Sequence, residues 1–184
     1  MTHSIIELQT TAEDHRIAKL AAYAIGFTLL EAGIPSPLPG IKPGLANIIT
    51  LVVLQRHGLR IAVWVALLRV VCASFLLGTF LSPGFFLSLS GAVLSLVMLA
   101  VTRALPADYF GPVSHSILAA FAHIGAQLLV VYLWLIPHTG VAYLVPVFAF
   151  AALLFGTLNG LIAAKWLQAD ATPSRRFETH APLL

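Results

Sequence analysis

The segment Leu59–Leu81 reads LRIAVWVALLRVVCASFLLGTFL, apolar along its length, with charge only at Arg60 and Arg69. As a helix rising 1.5 Å per residue it is long enough to cross a hydrocarbon core of roughly 30 Å. Arg69 would then lie about 14 Å in from the end that carries Arg60. The rest of the chain has the same character, being 59% hydrophobic and 9% charged, against roughly 25% charged residues in an ordinary soluble domain. A bilayer is the natural solvent for such a sequence, and the fold class it implies is an all-α polytopic membrane protein.

Working outward by apolar runs and breakers predicts six transmembrane helices. The first covers Ile17–Leu30 with Glu31 at its end, and the second runs from near Gly44 to the Gln55-Arg56-His57-Gly58 break. The third is Leu59–Leu81, closed by Ser82-Pro83-Gly84, and the fourth is Phe85–Val101, ending at Arg103. The fifth is Val113–Ile136, closed by Pro137. The sixth is Val141–Leu167, with Pro146 near its start, where proline is tolerated. This divides the chain into a tail over 1–15, a membrane domain over 16–168 and a second tail over 169–184. MTHSIIELQTTAEDHR lacks the basic-then-apolar order of a cleaved signal, so it is expected to stay on the protein.

Basic residues gather in cytoplasmic loops. With six spans, Arg16, Lys19, Arg56, Arg60, Arg103, Lys165, Arg175 and Arg176 share one side, whereas Lys42 stands alone on the other. Both termini are thus expected in the cytoplasm, and Pro37–Leu51, PLPGIKPGLANIITL, begins in the first external loop. The pI of 9.4 therefore reports topology and gives no reason to expect nucleic acid. Cys72, the single cysteine, forms no intrachain disulfide and reads as a packing residue.

Polar groups inside apolar runs are costly in lipid and each needs a reason. Arg69 carries a planar, permanently charged fork suited to carboxylate or phosphate. It is either an anion contact for a ligand or a structural partner of Glu31 or of helix-end carbonyls. In the fifth span Ser116, His123 and Gln127 fall on one helical face, with Trp134 further along and His115 near the start; this pattern points to a ligand or an interhelical network. Asn47, one turn inside the second span and near Lys42, reads as a pocket residue, whereas Asn159 in GTLNG reads as satisfying backbone groups at a kink. Gly40 and Gly44 let the external loop turn, and Pro37, Pro39 and Pro43 restrict it. Small residues four apart, Ala18, Ala22 and Gly26, stripe the first span and suit either bundle packing or a partner subunit. A similar stripe in the fourth span, Gly84, Ser88 and Ser95 with Gly91 close by, suits internal packing.

The chain contains no GxxxxGK[ST] loop, so ATP hydrolysis of the Walker kind would have to come from another subunit. Nor does it hold paired acids in the membrane region of the kind that carry Mg²⁺ on a diphosphate; the acids outside the terminal tails are Glu31 and Asp108. No metal, cofactor or catalytic residue is expected on these grounds.

PGIKPGLANIITL, the LLR of Arg69, GTFLSP at Gly78–Pro83, FLSLSG at Phe86–Gly91 and AHIGAQLL at Ala122–Leu129 together resemble the Gx transporter family. That family is often labelled heptaprenyl diphosphate synthase component I, and looks related to the S components of energy-coupling-factor (ECF) transporters. The resemblance implies an S-component-like six-helix bundle in a prokaryotic cytoplasmic membrane. It would bind a small vitamin or cofactor precursor, anionic or flavin- or thiamine-like, near its external side. A coupling subunit would dock on the Ala18–Ala22 face, and ATPases would act in trans. The expected substrate-binding residues are Lys42, Asn47, Arg69, His123 and Gln127. The alternatives are a membrane subunit of a polyprenyl diphosphate synthase and a ligand-free assembly or anchoring protein.

Overall fold

The computed structural model describes residues 10–34, 44–104 and 110–171; most of the two expected tails, and Asp108, lie outside these. Every described element is helical: α1 (Ala12–Ala32), α2 (Leu45–His57), α3 (Leu59–Leu76), α4 (Pro83–Arg103), α5 (Pro112–Val130) and α6 (Val145–Ala171). A π-helical turn, Val131–Leu135, extends α5, and a 3₁₀ turn, Thr139–Leu144, leads into α6.

The boundaries follow from local chemistry. Thr11 and Asp14 form a capping box at the start of α1, each side chain meeting the other's backbone N–H. Between α2 and α3 only Gly58 intervenes, at φ +85°, a conformation that reverses the chain at little cost without a Cβ. The third span was expected to reach Leu81, but α3 stops at Leu76. Gly78 and Leu81 both take positive φ, +67° and +59°, and Ser82 then caps α4 with Pro83 in its first turn. Such a pair of left-handed residues cannot continue a helix, so Gly78–Ser82 is a turn.

Among the described residues, Leu59–Leu76, Pro83–Arg103, Pro112–Leu135 and Thr139–Ala169 are the four stretches long and apolar enough to cross a membrane. This is a multi-pass membrane protein. The other two helices fall short for different reasons. α1 carries Glu13, Asp14, Arg16, Lys19 and Glu31. α2 is apolar but, at 13 residues, only about 20 Å long.

α3, α4, α5 and α6 pack in chain order, α6 packs back on α2, and α2 on α3, which closes a ring of five helices; α1 lies against α2 and α3. α2 is buried on all sides, from Ala46 through Leu54 with only Asn47 less covered, as suits a helix that is apolar all round. The larger core cluster forms around it from Ile48, Ile49, Val53 and Leu54 with Ala24, Ala62, Val65, Leu99 and Ala163. Lipid is as apolar as these side chains, so close packing and hydrogen bonds hold the ring together rather than expulsion of water. At the α5–α6 seam a Cβ on Gly156 would come within 2.9 Å of Ile117 Cα, and one on Gly160 within 2.7 Å of Val113 Cα. The two backbones are in contact there.

Candidate functional site

The bundle holds a partly open cavity of about 310 Å³, to which all six helices contribute. That volume is at the lower end of small-molecule sites. Because α2 is short, it begins beside this cavity, level with the middle of α6. The carbonyl of Gly44 accepts from Asn159 Nδ2 at 3.2 Å and from the Asn47 backbone N–H at 2.8 Å.

The start of α2 has no capping side chain of its own. Glu31, buried at the end of α1, takes that role: one carboxylate oxygen accepts from the backbone N–H of Gly44 and, at 3.1 Å, from that of Leu45. A carboxylate is well placed there, since it meets both unpaired N–H groups and the positive end of the helix dipole. Gly44 sits at φ +72°, and a Cβ would come within 3.1 Å of Asn47 Nδ2 and 3.3 Å of Asn159 Nδ2. Glycine is therefore favoured by backbone conformation, and a side chain there would also press on the two amides.

Arg69 is 8% exposed and projects from α3 into the cavity wall. Its Nη2 donates to Asn47 Oδ1 at 3.2 Å, while its Nε is buried and unpartnered among the described residues. Of the two structural partners expected for it, Glu31 is engaged on α2, and no direct Arg69–Glu31 ion pair forms among the described residues. The guanidinium is thus held by a neutral amide.

His123 and Gln127 meet one turn apart on α5. Gln127 Nε2 lies 3.2 Å from His123 Nε2, and an amide nitrogen can only donate. A neutral imidazole accepting there carries its proton on Nδ1, which is buried without a hydrogen bond of normal geometry among the described residues. The ring lies over Gly91 of α4, where a Cβ would come within 2.6 Å of it. The rest of the fifth-helix stripe separates from this pair. Ser116 lines a smaller cavity of about 30 Å³ with Thr50 and Ser95, which shares Asn47 and Asn159 with the larger one. It has room for about one or two water molecules. His115 bonds Gln55 at 3.1 Å and stacks on Phe110, and Trp134 is exposed with its ring edge toward Phe86.

The structure therefore brings Asn47, Arg69, His123 and Gln127 to one cavity. Lys42 and Gly40 lie outside the described residues. Ala18 and Ala22 are exposed, and nothing lies within 4 Å of a Cβ on Gly26, so the bundle leaves that stripe uncovered; Ala21 and Ala24 face inward instead. Two cavity residues were undervalued in the sequence. Glu31 was weighed only as a partner of Arg69. Asn159 does satisfy a backbone group, as read, but that group belongs to the start of α2 and the amide also lines the cavity. The seam glycines were missed, although Gly156-Thr-Leu-Asn-Gly160 shows the small-xxx-small spacing plainly. Among the described residues no group of three or more His, Cys, Asp or Glu side chains is placed to hold a metal ion.

A family model described as heptaprenyl diphosphate synthase component I matches residues 20–166. The chain belongs to this family. The match takes in every cavity residue named above, so the site lies within the part of the chain that defines family membership. No curated protein and no solved structure matches the chain.

Proposed function

We propose that this protein captures a small organic ligand in the cavity at the start of α2, as the substrate-binding subunit of an uptake system. The observation that carries the reading is Arg69: a buried guanidinium whose Nε has no partner among the described residues, in the wall of a cavity of about 310 Å³. Burying a cation beside a neutral amide is costly. A bound acceptor that completes its hydrogen bonds offsets that cost, which is the logic of a binding site. Asn47 orients the guanidinium, His123 and Gln127 supply further polar contacts, and Lys42 adds positive charge from the external loop.

In this reading the chain crosses the bilayer of a prokaryotic cytoplasmic membrane six times, with both termini inside. α1 and α2 are carried across by packing in the bundle rather than by their own length and apolarity. The likeness to ECF S components adds the energetics: a coupling subunit docks on the face of exposed Ala18 and Ala22 and half-buried Gly26, and ATPases act in trans. The test is native purification followed by mass spectrometry of the extracted small molecules. Wild-type protein should release a ligand that is lost from Arg69→Ala and Asn47→Ala. Equal recovery from all three proteins would rule out this pocket.

The family description favours a second reading, a membrane subunit of a polyprenyl diphosphate synthase. A chain of seven isoprene units exceeds a cavity of about 310 Å³, so the product would have to lie along the lipid-facing surface. Prenyl transfer on adding a catalytic partner would support this reading. Quinone side chains of normal length in a strain lacking the gene would exclude it.

A further inference from the structure

The charges around the cavity limit what it can hold. Among the described lining residues there is one guanidinium, Arg69, and one carboxylate, Glu31; the other polar side chains are hydroxyls, amides and His123. Glu31 is committed to the first N–H groups of α2 and answers the positive end of that helix. The helix end is worth roughly half a charge, so with Glu31 ionised the site keeps a net positive charge of roughly half a unit, centred on Arg69 beside the neutral Asn47. A ligand with a single negative charge meets it. A second negative charge would be buried next to Glu31 with no second cation among the described lining residues to offset it, a cost that rises steeply where the dielectric is low.

We infer that the cavity selects a monoanionic carboxylate with a compact apolar body, and that Glu31 is the residue that excludes dianions and diphosphates. The inference rests on the capture reading above. A carboxylate matches the guanidinium fork in shape as well as in charge. Val70, Phe85 and Phe155 supply the apolar wall, and the volume suits roughly ten to fifteen non-hydrogen atoms at the packing of a condensed phase. Glu31 acts here through charge while also capping α2. Its two roles separate in Glu31→Gln, which keeps an oxygen acceptor for Gly44 and Leu45 but removes the charge.

The experiment measures binding to the full chain in nanodiscs by titration calorimetry. The probes are benzoate and nicotinate, their neutral amides, phenyl phosphate and isopentenyl diphosphate. Wild type should bind the carboxylates about tenfold or more tighter than the amides, as expected for loss of a charged hydrogen bond. It should bind phenyl phosphate and the diphosphate no better than the carboxylates. Glu31→Gln should shift the ratio of phenyl phosphate to benzoate affinity by about tenfold toward the phosphate. Arg69→Gln should abolish carboxylate binding, and Arg69→Lys should retain part of it.

Amides that match their carboxylates, phosphates preferred by wild type, or a ratio unmoved in a folded Glu31→Gln would each overturn the inference. Binding of none of the probes would also overturn it. The capture reading is judged separately, by the molecule recovered in native extracts: a dianionic or neutral ligand that depends on Arg69 and Asn47 upholds capture while refuting this charge rule.

Discussion

The seam between α5 and α6 and the junction where α2 begins are held together in opposite ways. At the seam, Gly156 and Gly160 bring two backbones into contact and leave no space for an added atom. At the junction, Glu31, Asn47, Arg69 and Asn159 are joined by hydrogen bonds around a left-handed glycine, and one guanidinium nitrogen is left unpaired beside open volume. Van der Waals packing and hydrogen bonding are two of the means by which helices associate in lipid. This chain uses the first where it builds a frame and the second where it builds a cavity.

The sharpest way to break the comparison is at the seam. Gly160→Leu puts a side chain where even a Cβ lies 2.7 Å from a backbone carbon that cannot rotate away. It should cost about 3 kcal/mol or more, at the upper end of overpacking effects, and lower the unfolding temperature in detergent. Gly26→Leu is the matched control: α1 has nothing within 4 Å at that position, so stability should hold or rise slightly with helix propensity. Equal behaviour of the two variants would remove the distinction between seam and exposed stripe.

At the junction, Glu31→Ala leaves the N–H groups of Gly44 and Leu45 without their acceptor. A buried unsatisfied donor costs roughly 1–3 kcal/mol. The loss should appear first as faster amide exchange at residues 44–46, ahead of any change in α4 or α5. Uniform acceleration across the bundle would mean that the cap holds up the whole fold rather than the start of α2.

The two regions also differ in how far they could be read from the sequence. Apolar runs, Gly58, Pro83 and Pro137 place the helices closely, because span length and helix-stopping residues act locally. Arg69, Asn47, His123 and Gln127 stand out as candidates because lipid makes any polar group inside a run conspicuous. Their meeting at one cavity depends on α2 beginning level with the middle of α6, a placement that only the packed ring makes visible. Glu31 was harder still. It ends a helix, where a carboxylate needs no special explanation, and its partners are backbone N–H groups, which no side-chain pattern records.

Gly44→Ala sharpens the junction at a smaller scale. A left-handed residue with a Cβ costs about 1–2 kcal/mol, and here the methyl group would also crowd Asn47 and Asn159. Stability should fall by about that amount, and binding of the native ligand should weaken because Asn47 positions Arg69. A stable variant with full binding would show that the amides move aside freely and that the junction is less rigid than the seam.

The smallest effect belongs to the far end of α2, where His57 precedes Gly58. Burial first, and then the nearby charges of Arg16 and Arg56, hold its imidazole below its ordinary value of 6.5. The fold thus favours the neutral ring, whereas the unfolded chain takes up a proton as soon as the pH drops through 6.5. Stability should decline as pH falls from 6.5 toward the lowered value and level off below it. His57→Gln removes the proton uptake, so its unfolding temperature should lose this part of the decline relative to wild type. If the two proteins fall in parallel, the pH dependence arises elsewhere and this end of α2 tolerates the imidazolium. The helix would then be constrained by charge only at its cavity end.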